Sequence, residues 1–245
     1  MDIAAIALLV VHTAAVQATP PATSRSPVRI CSDQAHGQAP LVPQYAAIAT
    51  KLGGEVVVSN EPITLDALKG CRVLLLRVPV QEFTTAESAT IGDFVRNGGS
   101  LLLAFDEERR APLEKTRVND VIAAFGMRLT GDTEYLHNNG AVVKQGAITA
   151  ADRELPFSGG RAVEGGTPFG WQLNKDGQPG QVFAASATVG QAGKVVVLSD
   201  AMVTLFLGTT DGVRLTGVPR DPTQTRYWGK DTAIFMGELL AWLMK

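Results

Sequence analysis

Cys71-Arg-Val-Leu-Leu-Leu76 and Ser100-Leu-Leu-Leu-Ala-Phe105 decide how this chain folds. Each is an unbroken apolar run, too short for a helix and without the alternation of a strand that keeps one face wet. That pattern belongs to strands covered on both faces, the habit of parallel sheets. Between them, Thr85 stands where a helix cap is needed and Ala86 to Arg96 has helical spacing, with Ile91, Phe94 and Val95 as an inward stripe and Glu87 and Asp93 as exposed acids. Asn97-Gly98-Gly99 stops it. Strand, helix and strand in this order predict a parallel pair joined by a right-handed crossover.

The same alternation extends in both directions. Upstream come a β-rich run at Val28–Asp33, helical spacing from Leu41 to Leu52, a strand at Glu55–Val58 and a short helix over Thr64 to Lys69. Downstream, Arg117 to Phe125 reads as helix, and Gly126-Met-Arg-Leu129 returns toward a strand. From about Gly131 to Gly180, glycines, prolines and an Asn-Asn-Gly turn separate short β runs, which suggests a β-rich insertion or an antiparallel extension. Gln181–Ala185 and Gly193–Leu198 restore the buried-strand pattern. A long loop over Gly208 to Gly229 precedes a last helix, Thr232 to Met244, with Asp231 at its cap. The expectation is an α/β three-layer sandwich: a mainly parallel, flavodoxin-like sheet with a small β-rich insertion and helices on both faces.

Composition narrows the function classes. The 245 residues carry 22 basic and 24 acidic side chains, a net charge of −2, so there is no electrostatic footprint for a nucleic-acid backbone. Nor is there a polybasic tract for anionic lipid. Ile3 to Val16 is almost wholly apolar and leads to Ala15-Val16-Gln17-Ala18, which has the small residues of an export cleavage site. Residues 1–18 therefore read as a signal peptide, although Met1-Asp2 supplies no positive charge, and residues 19–27, rich in Pro, Thr and Ser, as a linker. The apolar stretch is shorter than the roughly 20 residues a membrane span needs, so no stable span is expected after cleavage. The folded domain is expected over residues 28–245 of an exported, periplasmic or extracellular protein.

Five segments share a recognisable order: Val28-Arg-Ile-Cys-Ser-Asp-Gln-Ala-His-Gly-Gln38, Gly98-Gly-Ser-Leu-Leu-Leu-Ala-Phe-Asp106, Phe125-Gly-Met-Arg-Leu129, Gly193-Lys-Val-Val-Val-Leu-Ser-Asp200 and Ala241-Trp-Leu243. Together they resemble a class I glutamine-amidotransferase-like domain, and within it the non-catalytic bacterial domains of unknown function related to the domain of intraflagellar-transport and gliding-motility proteins. The resemblance implies a flavodoxin-like fold and says little about activity. In active members a cysteine nucleophile follows the strand matching Ser100–Phe105, and a histidine follows the late strand. Here Phe105-Asp106-Glu107 and Ser199-Asp200-Ala-Met stand in those places. A carboxylate is a far poorer nucleophile toward an amide than a thiolate, so an active glutamine amidotransferase is not expected. Cys31 and Cys71 offer no replacement, since they fall inside one strand and at the start of another. Both read as small buried core residues, and their different positions along their strands argue against a disulfide.

Open α/β sheets bind ligands at the carboxyl ends of their strands. Asp33 and His36 follow the first strand, Asp106, Glu107 and Glu108 the fourth, and Asp200 the late one. Converging on one crevice, they would bind a divalent metal or a sugar, or do acid–base work. The plainer reading is that the aspartates cap turns. Tyr227 and Trp228, in the long loop, add candidate walls to the crevice. His137 reads as a solvated turn residue, and Gly159-Gly160 and Gly165-Gly166 lack the lysine of a phosphate loop, so no cofactor is called for. The leading expectation is a non-catalytic binding or scaffold module for a protein partner or a small polar ligand. The alternative is a metal-assisted or carboxylate-based hydrolase of a carbohydrate or peptide, using His36, Asp106 and Asp200.

Overall fold

The computed structural model describes residues 26–37, 43–133, 140–157, 160–201, 203 and 231–245. The segment expected to be a signal peptide, the expected linker up to residue 25 and the whole of the expected loop over Gly208 to Gly229 lie outside the described residues. The elements run β1 (Val28–Asp33), α1 (Pro43–Lys51), β2 (Gly54–Ser59), β3 (Cys71–Arg77), α2 (Thr85–Arg96), β4 (Ser100–Ala104), α3 (Leu113–Thr116) and α4 (Val118–Ala123). They continue through β5 (Arg128–Asp132), β6 (Ala141–Val143), β7 (Arg153–Leu155), β8 (Arg161–Glu164), β9 (Thr167–Leu173), β10 (Pro179–Val189) and β11 (Gly193–Leu198) to α5 (Thr232–Leu243).

Nine strands form one mixed sheet in the order β2-β1-β3-β4-β11-β10-β9-β6-β7, and β5 and β8 pair as a separate antiparallel ribbon. The half from β2 to β11 is parallel, and counted in chain order its strands lie 2-1-3-4-5, one of the two common doubly wound arrangements. The other half is antiparallel. The β-rich region thus extends the main sheet, apart from the β5–β8 ribbon.

The apolar runs explain why the parallel half is dry on both sides. Successive side chains point to opposite faces. Leu75, Leu102, Val196 and Leu198 enter one core with Tyr45 and Ala49 of α1 and Phe235, Leu239 and Leu240 of α5. Leu74, Leu76, Leu101, Leu103, Val195 and Val197 enter the other, against Ile91 and Val95 of α2 and Val118, Val121 and Ile122 of α4.

Local expectations are corrected at four places. Thr64 to Lys69 forms turns rather than a helix: after a single helical bond from the Leu68 amide to the Thr64 carbonyl, the Lys69 and Cys71 amides reach back only three residues, to Asp66 and Leu68, and the chain turns at Gly70, at φ 78°. The N-cap of α2 is Thr84, one residue before the threonine expected, and Glu87 is a buried member of its capping box instead of an exposed acid. Asp231 holds the N-cap position of α5, but its carboxylate accepts the Glu154 amide of β7 at 2.9 Å instead of capping the helix.

The fourth correction is covalent. Cys31 and Cys71 are joined in a disulfide across β1 and β3, with Cα atoms 5.9 Å apart, and no free cysteine remains. The register explains it: Arg29 pairs with Cys71 but Ile30 pairs with Val73, so Arg72 is an extra residue in β3. This irregularity changes the register at the start of β3, where Cys71 meets the strand that carries Cys31.

Candidate functional site

The carboxyl edge of the parallel half carries two charged clusters. The first is built on the turn after β1. Asp33 Oδ1 accepts the Ala35 amide at 2.9 Å, an Asx turn, while Oδ2 lies 2.7 Å from His36 Nδ1. The His36 carbonyl accepts the Val80 and Gln81 amides from the loop after β3, each at 3.0 Å. Gly37 continues the turn at φ 65°, where a side chain would be strained and would press on Val80. The imidazole stacks on Phe83, with ring centroids 4.0 Å apart, and its Nε2 lies 3.5 Å from Glu87 Oε1. Burial pulls the His36 pKa down, but the hydrogen bond and charge of Asp33 and the charge of Glu87 outweigh it and hold the group above 6.5.

Glu87 is tied from several directions. One carboxylate oxygen accepts the Ile63 amide at 3.1 Å, and the other accepts the Thr84 amide at 3.0 Å and hydroxyl at 2.8 Å. Burial raises its pKa, yet these hydrogen bonds and the His36 charge bring it below the usual glutamate value. Ile63, Thr84 and Glu87 also line a cleft of 720 Å³ bounded by the Pro62–Asp66 turn and the first turns of α2.

The second cluster follows β4. Asp106 caps its own turn, accepting the Glu107 amide on Oδ1 at 2.8 Å, while Oδ2 is 3.5 Å from Arg110. Burial dominates and pushes its carboxyl up to about 6. Glu107 is buried beneath Arg109, at 2.7 Å, and Arg110, at 3.3 Å. Arg161, 1% exposed, organises the surroundings: it donates to the carbonyls of Asp106, Thr130 and Ala111 and to the Glu108 carboxylate, and lies over the Phe105 ring. The Arg161 hydrogen bond holds Glu108 below the ordinary glutamate pKa. Asp200, 1% exposed, follows β11 where Gly160 comes so close that an added Cβ would stand 2.6 Å from the Ser199 carbonyl. The Ser199 hydroxyl donates to the Arg161 carbonyl at the same crossing.

Asp33, His36, Asp106, Glu107 and Asp200 thus all reach the expected edge, and each is no more than 4% exposed. Asp33 and Asp106 make the turn hydrogen bonds of the plainer reading. Among the described residues no group of three His, Cys, Asp or Glu side chains is arranged to hold a metal ion. Tyr227, Trp228 and His137 lie outside the described residues. Sequence reasoning missed Glu87, although Thr84-Thr85-Ala86-Glu87 has the spacing of a capping box. It also missed Arg161, whose partners lie as far as 55 residues away along the chain and leave no local signature. Among the described residues no helix is long and apolar enough to cross a membrane.

The fold and this edge define a mixed α/β domain with a largely parallel sheet and buried carboxylates at the carboxyl ends of β1, β4 and β11. By sequence the chain belongs to the IFT52 GIFT domain family, whose model matches residues 44–205. It is similar to the intraflagellar transport protein 52 homolog of Mus musculus, 25% identical over 113 residues, and the match covers 43% of this chain and 26% of that protein. Among solved structures it is similar to the mmIFT52 N-terminal domain, with a TM-score of 0.55 and 16% identity, covering 71% of this chain and 86% of that one. A looser likeness, with a TM-score of 0.49 and 8% identity, is to a candidate GMP synthase component from Thermoplasma acidophilum, covering 89% of this chain and 95% of that one.

Proposed function

We propose that this chain is a non-catalytic binding or scaffold module, a flavodoxin-like three-layer sandwich of amidotransferase type, working in an oxidising, extracytoplasmic compartment. The observation that carries the reading is the turn after β4. Its carboxylate is buried at 4% exposure and spent on the Glu107 amide, while the chain's two cysteines are consumed in a disulfide on β1 and β3. No thiol is left to form an acyl intermediate with glutamine.

The mouse relative is named for intraflagellar transport, and membership of the same domain family supports a part in a protein assembly here. Export is supported by the apolar N-terminal segment with its small-residue cleavage pattern and, independently, by the disulfide, since such bonds persist mainly in oxidising compartments. The hydrolase reading loses ground because His36 and Asp106 are engaged in separate turns and no metal ligand set forms among the described residues.

The test is in-cell crosslinking of the full chain in its source organism, run beside a thermal-shift screen of divalent metals, sugars and amino acids on the purified protein. A recurrent protein partner is the expected result. Recovery of no partner, together with metal-dependent stabilisation and hydrolytic turnover, would overturn the reading.

A further inference from the structure

Two carboxylates share one imidazole at the junction of three segments. Asp33 belongs to the turn after β1, Glu87 to the first turn of α2, and the Ile63 amide, held by Glu87, to the turn between β2 and β3. These are the charged groups that act on the ring; the loop after β3 presents only the face of Phe83 and the uncharged Val80 and Gln81 amides. The two contacts differ in kind. At 2.7 Å the Asp33 contact is a hydrogen bond that survives in neutral histidine if Nδ1 keeps its proton. The Glu87 contact, at 3.5 Å, is a charge contact. In the neutral tautomer it sets the Nε2 lone pair against a carboxylate oxygen, and attraction gives way to repulsion.

We infer that His36 is a proton-operated latch: as imidazolium it holds the start of α2 and the Ile63 turn onto the turn after β1, and as neutral imidazole it releases them. The released parts are the walls of the 720 Å³ cleft between Pro62–Asp66 and α2. The state of one buried ring therefore sets the shape of a surface cleft that it does not itself line. The direction follows from the elevated pKa of the ring: the clamp contributes in full below the unfolded value of 6.5 and is lost as pH rises through the folded one.

The experiment is an NMR titration of the full chain, with the ring Cε1–H of His36 read beside the protection factors of the Ile63 and Thr84 amides. The chain contains three histidines, so assignment by substitution is direct. His36 should half-titrate above 6.5, and Ile63 and Thr84 protection should fall about tenfold around the same midpoint. Glu87→Gln removes the charge and keeps an oxygen for only one of the two amides, which sit on different carboxylate oxygens; it should lower the midpoint and remove the pH dependence of the protection that remains. His36→Gln should show the unprotected level at every pH. A midpoint at or below 6.5, or Ile63 protection that ignores it, would overturn the latch. If His36→Gln fails to fold, Glu87→Gln still decides.

Discussion

Asp106 shows how one residue separates a structural edge from a chemical one. Its carboxyl is buried and pushed up to about 6, so between about pH 4 and 6 the fold holds the proton that the unfolded chain, with a value near 3.8, has released. Stability from this group therefore falls as pH rises through that window and stays lower above it. Asp106→Asn keeps an oxygen for the Glu107 amide and removes the charge. It should raise the melting temperature at pH 7.5 by at least about 2 °C and have no such effect near pH 4. A loss of stability at both pH values would mean that the ionised carboxylate is needed. Arg161 is the opposite case: its removal takes the donor from the carbonyls of Asp106, Thr130 and Ala111 around a fully buried position. Arg161→Ala should cost roughly 3–5 kcal/mol in urea unfolding, and a loss under about 1 kcal/mol would show the network to be dispensable.

At the scale of elements, what was legible and what was not have distinct physical causes. Unbroken runs such as Leu74–Leu76 and Leu101–Leu103 identify the parallel strands because a strand covered on both faces leaves no room for polar alternation. The Asp33 and Asp106 turns were readable because each carboxylate binds an amide one or two residues ahead, a contact closed by neighbours in sequence. The disulfide was not, since it depends on one extra residue in β3, and a register irregularity between strands joined through 40 residues of chain leaves no mark in composition or spacing. Glu87 failed for a related reason: a helix stripe gives periodicity but does not show that a loop and a buried histidine close over one acidic position. The disulfide is also the strongest link between elements. Closing a loop of this size should contribute about 4 kcal/mol through the unfolded state. Cys31→Ser with Cys71→Ser should lower unfolding stability by roughly 2–4 kcal/mol. Thiol labelling of the denatured, unreduced protein should find no reactive cysteine; two labelled thiols would contradict the bond.

The described residues form a nine-stranded sheet and a two-stranded ribbon, and at the carboxyl edge of the parallel half Asp33 and Asp106 are drawn into holding turns. The chain belongs to the IFT52 GIFT domain family, and the binding role proposed for it stands or falls on a partner. The most direct test of the account is in-cell crosslinking of the intact chain against its Asp106→Asn, Asp200→Asn double variant. With both proteins folded, the account predicts the same protein partner at the same yield, because these carboxylates serve the fold and not the interface. Loss of a substrate or partner in the double variant, with the protein folded and no less stable than the parent, would contradict the account and return the carboxyl edge to chemistry.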